Sequence, residues 1–198
     1  MKTNTILLFR KWDLSDIKVE DVGLKNVISL DPIFNFSSSG RHENQKFAKA
    51  KVNIVERLAN HLMHFGKKNA KNTGRMGGKK YKATKIVKNV FEIINLKLSV
   101  NPVECLIKAI ENSAPNEDTT RIAYGGVVYH LSVDISPLRR VDLSLRFISE
   151  GAKEKSFANS TSIEECLAEE IILASNNGQT SFAIKKKNEQ ERIAMSSR

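Results

Sequence analysis

The chain has 198 residues, a hydrophobic content of 40% and a formal net charge of +10. This length fits one domain with a core of modest size, and the positive charge favours a polyanionic partner. No apolar run reaches the roughly 20 residues that span a bilayer, and four acidic residues between positions 13 and 21 argue against an acid-poor transit peptide. We therefore expect a cytoplasmic protein with no membrane partner.

Residues 1–40 lack helical periodicity and are predicted to form an extended N-terminal arm. The apolar run at 6–9 favours a short strand, and Trp12 is expected to anchor the arm. Residues 35–40, NFSSSG, are typical of a linker. The predicted division is therefore an arm at 1–40 and a single helical RNA-binding domain at 41–198.

The positive charge is concentrated in residues 41–98, which hold fifteen Lys/Arg against three Asp/Glu, a net charge of +12. Helical spacing predicts a first helix at about 52–65 and a second at about 83–98, joined by a basic, glycine-rich loop at 67–82. A solvated helix face is the plainer interpretation of such a charge run, but cations spread along a surface also suit phosphate contacts. The candidate contacts are Arg41, Lys46, Lys49, Lys51, Lys67, Lys68, Arg75, Lys79, Lys80, Lys85 and Lys88.

A third helix is predicted to start at Asn101-Pro102, and a β-hairpin follows at about 119–135. Apolar residues alternate along the second strand of the hairpin, and glycines at 125 and 126 favour a tight turn. Near the tip, Tyr124, Tyr129 and His130 are candidates to stack on exposed bases. Ordinary strand packing of the tyrosines is the alternative.

A fourth helix is predicted to begin directly after the hairpin. Ser136 is a candidate N-cap, and Pro137 suits the first helical position. Arg139 and Arg140 follow in the first turn, where the helix dipole disfavours cations. The pair therefore indicates an anionic partner, and reversing both charges is expected to leave the fold intact.

The fourth helix is predicted to extend to about Glu150, with Gly151 as its stop. Ser162 and Glu165 form a capping box for a fifth helix, and a sixth begins near Ser181. The whole pattern predicts a mainly α fold: a six-helix bundle with a protruding two-stranded β-hairpin and an extended N-terminal arm. The sixth helix carries the candidate RNA contacts Lys185, Lys186 and Lys187.

Enzyme-like signals in the sequence are weak. His61 and His64 stand three apart and could share a metal, but no Cys or acidic residue at suitable spacing completes a site. Gly78-Lys79 matches only the end of a phosphate-binding P-loop. Cys105 and Cys166 fall on apolar helix faces and are expected to be buried, reduced thiols. We predict no enzymatic activity, no metal and no cofactor.

Six segments follow one another in an order that resembles a known family. They are IVERLANHLM (54–63), VKNVFEIINL (87–96), NPVECLIKAIENSAPNEDTTRI (101–122), VDISPLRRVD (133–142), ECLAEEII (165–172) and FAIKKKNEQERIA (182–194). Together they resemble a universal small-subunit ribosomal protein family, the seventh in the bacterial series and the fifth in the eukaryotic cytosolic one. The resemblance covers about residues 41–198, and its ending and the FRKW of the arm resemble the eukaryotic or archaeal branch.

The resemblance implies a structural protein that binds the head (3′ major) domain of small-subunit rRNA and assists its assembly. It places the hairpin near the cleft where mRNA leaves and E-site tRNA sits, with other head proteins as neighbours and no homo-oligomer. By the family pattern Arg121, Arg139 and Arg140 would face RNA, as would the basic residues before and within the first two helices. The helix with Lys185–Lys187 would lie near the exit channel.

The chain departs from the family pattern at two places. Family hairpins are often richer in arginine at the tip, where this chain has tyrosines and a histidine, which favours stacking over charge. The loop at 69–82 is longer and is either a lineage-specific RNA contact or a disordered insertion. The alternative function is a helical DNA-binding or chromatin-associated protein, although such proteins read DNA with one recognition helix.

Overall fold

The computed structural model describes residues 6–34, 37–63 and 76–198. Within these ranges the chain is mainly helical, with one two-stranded antiparallel sheet, which confirms the predicted fold class. None of the helices in these ranges is both long and apolar enough to cross a membrane. The elements are α1 (Val22–Lys25), α2 (Ile54–Leu62), α3 (Lys80–Leu98), α4 (Pro102–Ser113), β1 (Glu117–Tyr124), β2 (Val127–Asp134), α5 (Pro137–Ser156), α6 (Ile163–Ser175), α7 (Phe182–Ser196) and two 3₁₀ helices, Arg41–Asn44 and Ala48–Lys51.

Side-chain caps fix where most helices begin. Asn101 accepts a hydrogen bond from the Val103 N–H at the start of α4, and the capping box of Ser162 and Glu165 is formed in both directions at the start of α6. Ser136 occupies the N-cap position of α5, as predicted, but the expected hydrogen bond from its side chain is not made. The first turn of α5 depends instead on the proline at its first position and on backbone hydrogen bonds.

Helix α5 continues past Gly151 to Ser156, so the prediction of a helix stop at Gly151 was wrong. Gly151 is buried, and a Cβ atom built on it would lie 2.7 Å from Cβ of Phe182 and 3.1 Å from Cδ of Glu170. The glycine therefore lets α5 approach α6 and the start of α7 closely. Its missing side chain is a packing requirement rather than a chain-termination signal.

Helix α6 lies at the centre of the bundle, where it packs against α3, α4, α5 and α7. Its Glu170 is fully buried and joins three helices. The carboxylate accepts hydrogen bonds from Lys155 Nζ on α5 at 2.7 Å and, at the start of α7, from Ser181 Oγ at 2.6 Å and the Ala183 N–H at 3.1 Å. A negative charge at a helix N-terminus is electrostatically favourable, so this buried carboxylate helps to dock α7.

The first forty residues contribute to the same core. Leu8 and Leu24 are fully buried within the main hydrophobic cluster, and Trp12 packs against it as predicted. The expected strand at 6–9 is not formed, because Leu8 and Trp12 make an isolated bridge around a tight turn. Burying these apolar side chains ties the arm to the helices.

Candidate nucleic-acid interface

The basic segment, residues 41–98, presents exposed cations on the 3₁₀ helices and along α3. Helix α3 begins at Lys80, three residues earlier than predicted, so its basic residues from 80 onward lie on one rigid element. Lys82 is exposed there as well, although it was not among the predicted contacts; its position three residues before Lys85 was the available signal. Three predicted contacts, Lys67, Lys68 and Arg75, lie outside the described residues. The exposed predicted residues are Arg41, Lys46, Lys51, Lys79, Lys85 and Lys88.

Two of the candidate lysines point inward. Lys49 Nζ lies 2.9 Å from Oδ2 of Asp142, and Lys80 Nζ contacts Oε1 of the buried Glu56. Each lysine is therefore paired with a carboxylate of the chain itself. Their positions connect the basic surface to the core and leave less of their charge for an external anion.

Helix α2 carries the groups that organise these contacts. Its Glu56 and Arg57 are adjacent and buried. Glu56 also accepts hydrogen bonds from the backbone N–H and hydroxyl of Ser38, at 3.0 and 2.7 Å. Burial alone would raise the pKa of Glu56, but the hydrogen bonds from Lys80 and Ser38 outweigh it and lower that pKa.

Asp142 on α5 is the second anchor. Its carboxylate lies 3.0 Å from Arg57 Nη2, 2.9 Å from Lys49 Nζ and 3.7 Å from His61 Nε2. Burial raises the pKa of Asp142, but the neighbouring His61, Lys49 and Arg57 outweigh this effect and hold the pKa well below its ordinary range. The carboxylate therefore stays ionised and locks α2, α5 and the second 3₁₀ helix together.

His61 thus lies beside an aspartate, with its Nε2 3.7 Å from the Asp142 carboxylate. His64, which by its spacing could share a metal with His61, lies outside the described residues. Among the described residues no group of three His, Cys, Asp or Glu side chains is placed to hold a metal. Cys105 and Cys166 are free and buried, as predicted, and burial raises the pKa of Cys105.

The hairpin has two different faces. Its turn is formed by Gly125 and Gly126, both with positive φ. The strand register pairs Tyr124 with Val127 and Ile122 with Tyr129, and these side chains share an exposed face that is apolar near the tip. Arg121 pairs with His130 on the opposite face. The three predicted tip residues are therefore exposed but not together, since Tyr124 and Tyr129 point away from His130.

The two adjacent arginines of α5 also differ. The Arg139 side chain is 63% exposed and lies 3.4 Å from Asp118. The Arg140 side chain is only 14% exposed; its Nη2 lies 3.1 Å from Oδ2 of Asp21, and its Nε donates to the Pro115 carbonyl at 3.2 Å. Arg139 is available to an external anion, whereas Arg140 is occupied inside the chain.

The three lysines of α7 differ in the same way. Lys185 is exposed. Lys186 pairs with Glu189 at 2.6 Å, and Lys187 donates to the Asn112 carbonyl at 2.9 Å. The segment thus presents one open cation, one exposed ion pair and one lysine that links α7 to α4.

A family model described as ribosomal protein S7p/S5e matches residues 25–198. The chain belongs to this family. It is 62% identical over 197 residues to the small ribosomal subunit protein uS7 of Cenarchaeum symbiosum, covering 100% of this chain and 99% of that protein. It is 55% identical over 190 residues to the small ribosomal subunit protein uS7 of Methanothermobacter thermautotrophicus, covering 96% and 98%. The resemblance and the prediction of a structural small-subunit ribosomal protein are confirmed, and rRNA binding is consistent with this family.

Proposed function

We propose that the protein binds the head (3′ major) domain of small-subunit rRNA and assists its assembly as a non-enzymatic component of cytosolic ribosomes. The observation that carries this proposal is the row of exposed cations in the basic segment of a chain that belongs to a ribosomal protein family. Arg41, Lys46 and Lys51 lie on or beside the 3₁₀ helices, and Lys85 and Lys88 lie along α3. Such a distribution fits phosphate contacts that position RNA by shape.

The proposed roles of the remaining candidates follow from their exposure. Arg139 contacts rRNA phosphate, whereas Arg140 acts mainly by fixing the start of α5. The hairpin reaches towards mRNA and E-site tRNA, and α7 with Lys185 lies near the same exit path. Neighbouring head proteins complete the set of partners.

A salt titration tests the rRNA proposal directly. Full-length protein is bound to a transcript of the 3′ major domain, and the dissociation constant is measured between about 50 and 200 mM salt. With six or more phosphate contacts, affinity should fall roughly a thousandfold over this range. A flat salt dependence would contradict phosphate binding by the basic segment.

Matched variants locate the contact surface. Lys85→Gln and Lys88→Gln should each reduce the magnitude of the salt slope by about one. The control is Lys108→Gln on α4, an exposed lysine outside the basic segment that pairs with Glu104 at 2.8 Å; its slope should equal that of the wild type. Equal slopes for all three variants would place the contact surface elsewhere.

The alternative, a DNA-binding or chromatin-associated protein, is tested by competition and fractionation. The protein should co-sediment with small ribosomal subunits, and duplex DNA should compete poorly with the rRNA transcript. Equal competition by DNA, with the protein in the chromatin fraction, would favour the alternative.

A further inference from the structure

Phe47 has an exposed aromatic ring and a left-handed backbone conformation, and each of these is unfavourable in the protein alone. The residue is 76% exposed, and its backbone has a φ of 61°, in the left-handed region. A bulky residue rarely adopts this conformation, which costs about 1–2 kcal/mol in an L-residue. The residue therefore displays an apolar ring in water at the expense of backbone energy.

The surroundings of Phe47 are basic and firmly held. Lys46 and Lys51 are exposed on either side. Lys49, two residues further along, is paired with Asp142, and the following Val52 is buried. The ring thus stands on an anchored segment that carries an exposed lysine before it and another after it. Proteins that bind single-stranded nucleic acid combine aromatic rings and cations in this way.

Tyr81 has the same setting on α3. The residue is 87% exposed in the first turn, next to Lys80, whose side chain contacts Glu56. Helical spacing of four and three residues aligns Tyr81 with the exposed Lys85 and Lys88 on one stripe. Within the described part of α3 the first turn contains no acidic residue, although the helix dipole favours one there. A first turn rich in cations destabilises the helix slightly and suits an anionic partner.

Both rings are anchored through adjacent residues of α2. Glu56 holds Lys80, the neighbour of Tyr81, and Arg57 holds Asp142. Asp142 in turn holds Lys49, two residues after Phe47. These anchors are buried or partly buried, so the rings are displayed from rigid positions. Rigid display lowers the entropy cost of binding.

We propose that Phe47 and Tyr81 are stacking residues for unpaired nucleobases, set in the basic segment between lysines that contact the adjoining phosphates. The inference rests on the proposed rRNA binding and deepens it, because it assigns base contacts in addition to phosphate contacts. Aromatic rings stack on any base, so these sites recognise exposed bases in loops and bulges rather than a particular sequence.

The test uses full-length protein with the 3′ major domain transcript and with a fully paired RNA duplex. Phe47→Leu and Tyr81→Leu keep apolar bulk but remove the aromatic face, and each should weaken binding to the transcript about fivefold or more. The salt slope should stay unchanged, since no phosphate contact is lost, and binding to the duplex should be unaffected. Phe47→Trp and Tyr81→Trp should retain binding. The control is Phe157→Leu, which removes the ring of a residue that is 78% exposed directly after α5.

Phe47→Gly separates a ligand site from a structural role. Glycine relieves the left-handed strain, so the variant should be at least as stable to heat as the wild type while binding the transcript more weakly. Lower thermal stability in parallel with weaker binding would overturn the assignment of Phe47. Unchanged transcript binding by both leucine variants, with a steep wild-type salt slope, would overturn the inference and leave the proposed function standing. No binding by the wild type would instead overturn the proposed function.

Discussion

Arg140 donates from Nη2 to the Asp21 carboxylate at 3.1 Å and so joins the first turn of α5 to the N-terminal arm. Asp21 is the N-cap of α1, where it also accepts a hydrogen bond from the Gly23 N–H. The same guanidinium reaches the Pro115 carbonyl just before the hairpin. One side chain therefore fixes the arm, the base of the hairpin and the start of α5 relative to one another.

Arg140→Gln should lower the free energy of unfolding by about 1–3 kcal/mol, because it leaves the partly buried Asp21 and Pro115 without a charged partner. Arg139→Gln is the matched control at the adjacent position, and its exposed side chain predicts a change within about 0.5 kcal/mol. Denaturant unfolding of both variants measures the difference. Reversal of the charge without harm to the fold is therefore expected for Arg139 but not for Arg140. Equal stabilities of the two variants would contradict this.

The same pair predicts opposite effects on RNA. Arg139→Gln should weaken binding to the 3′ major domain transcript and reduce the salt slope by about one. Arg140→Gln should leave the slope unchanged in a titration under conditions where the variant is folded. A slope change for Arg140→Gln alone would show that Arg140 is the phosphate contact.

Asp142→Asn should destabilise the protein by about 2–4 kcal/mol at pH 7, since it leaves the buried Arg57 uncompensated. The pKa of Asp142 in the folded protein lies below its ordinary value of 3.8. Its contribution to stability is therefore complete above about pH 4 and is lost as the pH falls through the lower, folded pKa. The stability difference between wild type and variant should shrink progressively below pH 4 in denaturant titrations. A difference that stays constant down to the acid limit of folding would contradict this account.

The helices were predictable because their caps and apolar spacing are local signals. Asn101, Ser162 and Ser181 mark helix starts that the structure contains, and the hairpin follows from alternation around two glycines. The stop assigned to Gly151 failed because a glycine at the end of a helical pattern and a glycine at a helix crossing look alike in sequence. The structure distinguishes the two cases, because Phe182 of α7 packs directly against Gly151.

The candidate interface was predictable as a region but not residue by residue. Charge density locates the basic segment, yet it cannot tell that Lys49 and Lys80 face carboxylates from distant parts of the chain. The partner of Lys49 lies 93 residues away and that of Lys80 lies 24 residues away. Such pairing depends on tertiary packing, which no local pattern encodes. The exposure of Phe47 was hidden as well, because an isolated phenylalanine in a sequence is more often a core residue than an exposed one.

Gly151→Ala tests the helix crossing. Alanine is the better helix former by about 1 kcal/mol, but its Cβ would meet Cβ of Phe182 at 2.7 Å. We expect a net loss of about 1–3 kcal/mol in the free energy of unfolding, because the backbone of α7 has to shift. Asn188→Ala on α7 is the control, since it raises helix propensity at an exposed position and should be neutral or stabilising. Thermal unfolding of both variants shows whether each substitution stabilises or destabilises the protein. A stabilised Gly151→Ala variant would show that α5 and α7 can move apart to accept the extra Cβ atom.

Replacing Tyr124 and Tyr129 with alanine tests the exposed face of the hairpin. Both side chains are exposed, so the double variant should fold with nearly unchanged stability and enter small subunits at the wild-type level. If this face contacts mobile RNAs, reconstituted subunits should hold mRNA or E-site tRNA less tightly. His130→Ala on the opposite face is the control that separates a loss of stacking on the tyrosine face from a general disturbance of the hairpin. An assembly defect without any loss of mRNA or tRNA binding would show that the hairpin serves the structure of the subunit instead.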